Sequence, residues 1–162
     1  TMTQLALCVV YESMIGFSQD NSHHSLDLFD HCFETYKYAH QKNFPFEVQC
    51  AAKYHDCGKM YTKTFSDTKG NKTEEAHYYG HENYSAYIFL VNSFTGCGVV
   101  LNYERGNASK YLYIAALINW HMRPYTSWKQ SEKSLERDKE LIGEKMYEDI
   151  MMLHEADVAA HS

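Results

Sequence analysis

Apolar residues recur at helical spacing through most of this 162-residue chain. Because residues three and four apart lie on one face of an α-helix, this pattern predicts amphipathic helices that pack together. Glycine and proline interrupt the pattern where the chain should turn. The predicted helices cover residues 2–17, a stretch from 25 to about 42, residues 45–58, a stretch after residue 80, residues 112–120, and one long final helix from about 133 to 160.

Local residue types set the expected ends of these helices. Gly16 should end the first helix, and Ser25 is a good N-cap type for the second. Pro45 suits the first turn of the third helix, since proline fixes the backbone there without losing a needed N–H. Gly96 and Gly98 are expected to break the chain after the fourth helix.

Residues 61–75 depart from the helical pattern. The run Asp67-Thr68-Lys69-Gly70-Asn71 is a strong turn signal, and threonine and phenylalanine precede it. This segment is expected to be an inserted surface loop or a short β-hairpin. The fold class predicted from the whole pattern is therefore all-α, a single-domain helical bundle spanning residues 1–162, with this one insertion.

Composition narrows the functional classes. The formal net charge is −6 with neutral histidines, and no basic stripe is present, so binding to a long nucleic acid is not expected. The apolar run from Leu5 to Val10 is too short to span a bilayer, and no membrane association is expected. The five cysteines contain no C-x-x-C pair, which favours reduced thiols and a cytoplasmic protein.

Histidine is the unusual component, with ten copies in the chain. Neutral imidazole is the commonest protein ligand for transition metals, and helical bundles build metal sites from side chains on facing helices. Six metal-capable side chains fall on five separate helical segments and are the predicted ligands: His31, His55, Asp56, His81, His121 and Asp157.

The ligand types indicate which metals would bind. Imidazole and carboxylate without thiolate suit iron, manganese, nickel, cobalt or zinc. Six ligands exceed what one catalytic ion needs if positions stay open for water, so two divalent ions are expected, with Asp56 between them. Spacing alone supports equally well a set of ordinary packed histidines, because a histidine on an apolar helix face is usually a core residue.

The local contexts of these ligands carry a family resemblance. His31 in H-S-L-D-L-F-D-H, His55-Asp56 in A-A-K-Y-H-D-C-G-K and Asp157 in L-H-E-A-D-V-A-A-H resemble the HD superfamily of metal-dependent phosphohydrolases. His81 in Y-Y-G-H-E-N-Y-S-A and His121 in I-N-W-H resemble the members of that superfamily that hold two metals. The central block is most similar to the HD domain of some bacterial CCA-adding tRNA nucleotidyltransferases and of phage proteins.

The resemblance implies a single HD domain and a phosphohydrolase acting on a nucleotide or small phosphate ester. Cys57 departs from the aliphatic residue usual in the family, and no nucleotidyltransferase head is present, so CCA addition is not implied. By the same resemblance, Asp56 and Lys59 are the catalytic residues, with Lys59 also binding a phosphate oxygen. Arg123 is a second candidate phosphate ligand, and an ordinary salt bridge is the alternative for it.

Other residues near the motifs have two interpretations each. His24 and His77 are surplus histidines that would either contact substrate phosphate or lie exposed in loops, and His24 is included among the predicted substrate-binding residues. Glu82 and Glu155 adjoin predicted ligands and would either orient an imidazole or lie on a helix surface.

Two rival functions stay open at this stage. Some HD-fold proteins hold two irons with a similar ligand set and oxidise a small alcohol or phosphonate with O2. A binding module that senses nucleotides without turnover is the third interpretation. Zinc-protease, P-loop and dinucleotide-binding motifs are absent from the sequence.

Overall fold

The computed structural model describes residues 2–95 and 105–161, and within them the chain is almost entirely helical. The predicted breaks at Gly96 and Gly98 lie outside these residues. The helices are α1 (Met2–Ser13), α2 (Leu28–Gln41), α3 (Phe46–Tyr54), α4 (Lys59–Thr62), α5 (His81–Thr95), α6 (Arg105–Trp120), a 3-10 turn (Arg123–Tyr125), α7 (Ser127–Gln130), α8 (Glu132–Ile142) and α9 (Glu144–Ala159). The all-α prediction is therefore confirmed.

The insertion is a two-stranded β-hairpin, β1 (Thr64–Ser66) and β2 (Lys72–His77), which pair antiparallel with Thr64 opposite His77. Asp67 shapes its turn, because its Oδ1 accepts hydrogen bonds from the backbone N–H groups of Lys69 and Asn71, each at 2.8 Å. Gly70 takes a positive φ of 85° within that turn, a conformation that glycine adopts without strain. The hairpin of the sequence prediction is confirmed, and it ends two residues later than expected.

The second helix begins at a different cap from the one predicted. Asp27, not Ser25, is the N-cap of α2, because its Oδ1 accepts a hydrogen bond from Asp30 N at 2.7 Å. Its other oxygen accepts from Gly16 N at 2.8 Å, which ties the end of the first helical segment to the start of the second. Asp27 caps the helix in place of Ser25 because its carboxylate accepts hydrogen bonds from both α2 and the end of the preceding segment.

The single final helix of the sequence prediction is wrong. The structure has two helices, α8 and α9, which meet at Gly143. Gly143 has φ 84° and ψ 161°, a backbone region open essentially to glycine alone, and its N–H donates to the Lys139 carbonyl at 2.9 Å as α8 ends. The apolar periodicity continues through this point, so only the glycine indicated the break.

One hydrophobic core holds the bundle together, and α3 lies within it. Helix α3 packs against α2, α6 and α9, and its alanines Ala51 and Ala52 are fully buried, which lets these helices approach closely. Large side chains fill the surrounding space: Leu28, Phe89, Ile114, Leu117, Ile118, Ile150 and Leu153. Since α3 ends at Tyr54, the polar residues that follow it lie directly at the edge of this core.

Among the helices of residues 2–95 and 105–161, none has the length and apolarity needed to cross a membrane.

Candidate metal centre

The structure brings the six predicted ligands into one buried cluster. His31 comes from the first turn of α2, and the adjacent pair His55-Asp56 directly follows α3. His81 is the first residue of α5, His121 directly follows α6, and Asp157 lies in the last turns of α9. Each of the six is at most 6% exposed. Polar groups buried this deeply require partners, so their arrangement decides what the site can hold.

Asp56 lies at the centre of the cluster, with its two oxygens directed to different histidines. Its Oδ1 is 3.1 Å from His81 Nε2 and 3.4 Å from His121 Nε2. Its Oδ2 is 3.4 Å from His31 Nε2 and 3.6 Å from His55 Nε2. The carboxylate therefore stands between two pairs of imidazoles, as the bridging position predicted for it requires.

Asp157 completes the first of these pairs. Its Oδ1 is 2.9 Å from His31 Nε2 and 3.4 Å from His55 Nε2. The second pair has no carboxylate of its own, and its members approach each other directly, with 3.3 Å between His81 Nε2 and His121 Nε2. We call His31, His55 and Asp157 the inner set, and His81 and His121 the outer pair. Asp56 is shared between them.

Backbone carbonyls fix the orientation of three imidazoles. In His55, His81 and His121, Nδ1 lies 2.9, 2.9 and 2.6 Å from the carbonyl oxygen three residues earlier in the chain. A carbonyl oxygen can only accept, so each Nδ1 carries a hydrogen. When such a ring is neutral, its Nε2 presents a lone pair to the cluster, which is the arrangement that metal-binding histidines adopt.

Several atoms of the inner set are close together without being hydrogen-bonded. His31 Nε2, His55 Nε2 and Asp157 Oδ1 are buried and have no hydrogen-bond partner of acceptable geometry among the described residues. Leaving such atoms unsatisfied costs about 1–3 kcal/mol each. Two imidazole nitrogens and a carboxylate oxygen that converge in this way match the donor set of a divalent transition metal.

The charges of the cluster also suit a cation. Burial opposes ionisation of Asp56, but Lys59 and His55 outweigh it and hold the pKa of Asp56 well below its usual range. Burial likewise opposes ionisation of Asp157, and its neighbours His55 and His31 hold its pKa well below normal. Two carboxylates are thus anionic at the centre of a buried site. The residues present fit a metal ion on both donor chemistry and charge.

The two sets differ in the protonation of their histidines. Burial lowers the pKa of His55, but Asp56 and Asp157 outweigh burial and raise it well above the normal value. Burial dominates at His121, whose pKa is lowered. In the metal-free protein, a proton on His55 therefore compensates the two carboxylates, and a cation bound there would replace it.

Lys59 lies inside the site and is only 5% exposed. Its Nζ is 2.7 Å from Asp56 Oδ2, 2.9 Å from Gln19 Oε1 and 3.3 Å from His24 Nε2. An ammonium group has three N–H donors, and these three neighbours account for all of them. Lys59 therefore holds Asp56 directly, and its role as a phosphate ligand stays a prediction. The sequence gave no indication of Gln19, a buried loop residue without a motif.

Two further histidines adjoin the inner set. His24 is half-buried, with its ring edge against the rings of His31 and His161 at 5.0 and 4.8 Å between centroids. Burial, and then Lys59, lower the pKa of His24 to about 3, so its ring is neutral. His161 Nε2 is 3.5 Å from Asp157 Oδ1. Sequence reasoning missed His161, although its spacing of four from Asp157 placed it on the same helix face.

Tyr125 was also missed. Its hydroxyl donates to Asp157 Oδ2 at 3.0 Å, which leaves Asp157 Oδ1 directed at His31 and His55. Burial and the adjacent Asp157 raise the pKa of Tyr125, so the hydroxyl keeps its proton. Tyr125 belongs to the 3-10 turn that follows His121, and no local pattern in the sequence connects it with Asp157.

Gly58 permits the outer pair to reach Asp56. Its N–H donates to Ser85 Oγ at 2.8 Å, which holds the turn after Asp56 against the first turn of α5. A Cβ at this position would lie 2.6 Å from Ser85 N and closer still to the His81 carbonyl oxygen. Only glycine allows this approach, and His81 depends on it.

The remaining predicted residues have different outcomes. Arg123 lines the cleft next to the cluster; its guanidinium lies over the Trp120 ring at 4.7 Å and 3.5 Å from Asp138 Oδ2. Glu82 lies 3.7 Å from His81 Nδ1, in reach of that ligand. Glu155 is exposed and accepts from the Tyr38 hydroxyl at 2.6 Å, away from the site, so a role in orienting an imidazole is wrong for it.

A cleft of about 740 Å³ opens onto the cluster. Asp56, Lys59 and Asp157 are part of its lining, and so are His81 of the outer pair and the half-buried His24. The volume is typical of a small-molecule site. A ligand in this cleft would meet the candidate metal ligands directly.

No protein-family model matches the chain, and neither a curated protein nor a solved structure matches it. The HD resemblance therefore stays a prediction.

Proposed function

We propose that this protein is a metal-dependent phosphohydrolase of the HD type that acts on a small nucleotide or phosphate ester. The observation that carries the proposal is the position of Asp56, with one oxygen toward the inner set and the other toward the outer pair. A carboxylate between two imidazole clusters is the arrangement by which two metal ions are held a few ångströms apart.

The proposed cofactor is a pair of divalent transition ions, drawn from Fe, Mn, Ni, Co or Zn. One ion would be held by the inner set together with Asp56 Oδ2. The other would be held by the outer pair together with Asp56 Oδ1. Such a pair, when bound, lowers the pKa of a water molecule between the ions and neutralises charge on phosphoryl oxygens during hydrolysis.

The side chains of the site are held in position before any metal binds. Backbone carbonyls hold the rings of His55, His81 and His121, so no reorientation is needed when a metal enters. Lys59 fixes Asp56, and Tyr125 fixes Asp157. Groups already held in place contribute more to catalysis than groups that must be ordered during the reaction.

The residues around the cleft favour a small, anionic substrate. Three cationic side chains, Lys59, Arg123 and Lys129, line the cleft together with three carboxylates, Asp56, Glu82 and Asp157. Bound metal ions would therefore supply the positive charge that attracts a phosphate ester, whereas the net charge of −6 on the chain disfavours a long polyanion. A mononucleotide or a similar small ester suits both features.

The test begins with metal content. Protein purified without chelators should contain about two equivalents of a transition metal, and manganese, cobalt or nickel should support phosphate release from a panel of nucleotides and phosphate esters. Asp56→Ala should abolish both metal binding and release. His40→Ala is the matched control, because His40 is exposed on α2 and bonded to Gln49 at 3.0 Å, away from the cluster.

Other outcomes would replace the proposal. Phosphate release that survives Asp56→Ala would contradict it. Substrate loss that requires O2 and iron would identify the oxygenase chemistry of the first rival. Tight nucleotide binding without turnover under every metal would identify a sensing module, and a single metal equivalent would show that only the inner set is occupied.

A further inference from the structure

We propose that Tyr79, backed by His77, is a stacking platform for the base of a nucleotide whose phosphate lies at the metal centre. The inference rests on the proposed function for the position of the phosphate, and adds the recognition of the base. It concerns the end of β2 and the short connection from β2 to α5, which contain none of the six candidate metal ligands.

The two rings are already stacked. The centroids of His77 and Tyr79 are 5.4 Å apart, and the ring planes differ by only 6°. Both residues line the cleft, and Tyr79 is 47% exposed. An aromatic ring supported on one face and open to a cleft offers its remaining surface to a planar ligand, and every nucleobase has a π face that can use it.

The platform is anchored at its base. Tyr78 is the residue between His77 and Tyr79 in the sequence, and its hydroxyl donates to the Gln19 carbonyl. Ala76 N donates to the Asp20 carbonyl at 2.8 Å, and Asn21 Nδ2 donates to the Ala76 carbonyl at 3.1 Å. These bonds tie the end of β2 to the loop before α2. A surface that is held before the ligand arrives loses little entropy on binding.

Tyr79 lies close enough to the candidate metal centre for one small molecule to contact both. Tyr79 is two residues before His81, so their Cα atoms are at most about 7 Å apart. A base on Tyr79 and a phosphate beside His81 would then belong to the same nucleotide. Arg123 and Lys129 line the same cleft and suit the anionic part of such a ligand.

Other exposed aromatic residues do not share these features. Tyr87 on α5 is 68% exposed but is not part of the cleft lining, and neither are Tyr61 and Tyr84. Tyr87 therefore provides a control of the same residue type that is exposed outside the cleft.

The first experiment measures binding of adenosine, which carries a base and no phosphate, to the full-length chain by isothermal titration calorimetry. Tyr79→Ala should weaken adenosine binding about tenfold, since stacking on one aromatic ring contributes roughly 5- to 150-fold per base. Tyr79→Phe and Tyr87→Ala should bind as the wild type does. Equal binding by Tyr79→Ala and wild type, or no binding of adenosine by the wild type at millimolar concentration, would overturn the platform.

The second experiment compares two esters, 5′-AMP and ribose 5-phosphate, as substrates of the metal-loaded protein. Tyr79→Ala should lower kcat/KM for 5′-AMP about tenfold and leave ribose 5-phosphate unchanged, because only the former has a base. An equal loss on both esters would overturn the platform. Hydrolysis of neither ester by the wild type would contradict the proposed function, while the adenosine titration would still decide on Tyr79.

Discussion

The inner set and the outer pair share Asp56 but are built differently. The inner set has two imidazoles and its own carboxylate, comes from α2, α3 and α9, and lies at the edge of the hydrophobic core. The outer pair has only His81 and His121 and no carboxylate of its own, while each set has one member, Asp157 or His81, in the lining of the cleft. A metal position with fewer protein ligands leaves more places for water or substrate. The comparison therefore predicts a tightly held inner ion and a more exchangeable outer ion.

The largest effect is expected at the residue that both positions use. Asp56→Asn keeps the size of the side chain but removes its negative charge, so both metal positions should lose affinity together. Metal content should fall from about two equivalents to less than one, and phosphate release should fall by about a thousandfold or more. Elemental analysis and a phosphate assay on the same preparation measure both. Retention of two equivalents would show that Asp56 is not shared.

Single histidine substitutions should separate the two positions. His121→Ala removes half of the outer pair and should leave about one tightly bound equivalent, because the inner set is intact. His31→Ala should instead remove the more strongly held ion. Dialysis against a graded series of chelator concentrations, followed by elemental analysis, would order the affinities. The comparison is wrong if the ion left in His121→Ala is lost more readily than the ion left in His31→Ala.

Gly58→Ala should affect the outer pair through packing. The added Cβ would meet the backbone of the first turn of α5, which must then move away from Asp56. Overpacking of this kind costs about 1–3 kcal/mol of folding free energy. We expect a lower Tm and selective loss of the outer metal equivalent, measured by thermal unfolding and elemental analysis. Ala51→Gly, in the core of α3, is a control that lowers Tm without selective metal loss.

Tyr125→Phe should affect the inner set without a large change in stability. The substitution removes only the hydroxyl that donates to Asp157 Oδ2 at 3.0 Å. Loss of a group that orients a ligand lowers metal affinity by about 10- to 100-fold. A metal titration should show this weakening at the inner position alone. An unchanged titration curve would mean that the packing of α9 suffices to orient Asp157.

The smallest effect on metal binding is expected at Asp138, remote from both sets. Burial opposes its ionisation, but the Trp128 indole N–H at 3.0 Å and Arg137 lower its pKa below the normal value. A carboxyl whose pKa is lower in the folded state stabilises the protein above its unfolded pKa, and this contribution disappears as pH falls through the folded value. Asp138→Asn should therefore lower stability by about 1–2 kcal/mol at neutral pH and less in acid, with two metal equivalents retained.

A denaturant titration at pH 7 and at about pH 3, below the normal pKa of an aspartate, would check this. The difference in unfolding free energy between Asp138→Asn and wild type should shrink at the lower pH. A constant difference would show that the Asp138 charge does not contribute.

The candidate ligands could be located because the local contexts of His31, His55-Asp56 and Asp157 resemble those of a known family. Spacing alone allowed ordinary packed histidines equally well. Helical periodicity then predicted which segments would pack. Glu155 follows its surface alternative for a geometric reason, since residues two apart on a helix point about 200° away from each other and Asp157 faces the site.

The supporting residues could not be predicted, because long-range folding alone brings them to the site. Gln19 lies 40 positions from Lys59, and Tyr125 lies 32 positions from Asp157. Neither has a local pattern that distinguishes it from an ordinary surface residue. The bridging geometry of Asp56 also required coordinates, because it depends on which oxygen faces which helix.

The ligands of the inner set come from distant parts of the chain, His31 near its start and Asp157 near its end. A cation held between them would act as a removable cross-link that closes a loop of most of the protein. Closing so long a loop restricts the unfolded chain, so metal loading should slow complete unfolding more than local opening. During synthesis, the same arrangement means that no complete inner site exists until α9 has left the ribosome, so a metal could be held there only after that helix has emerged.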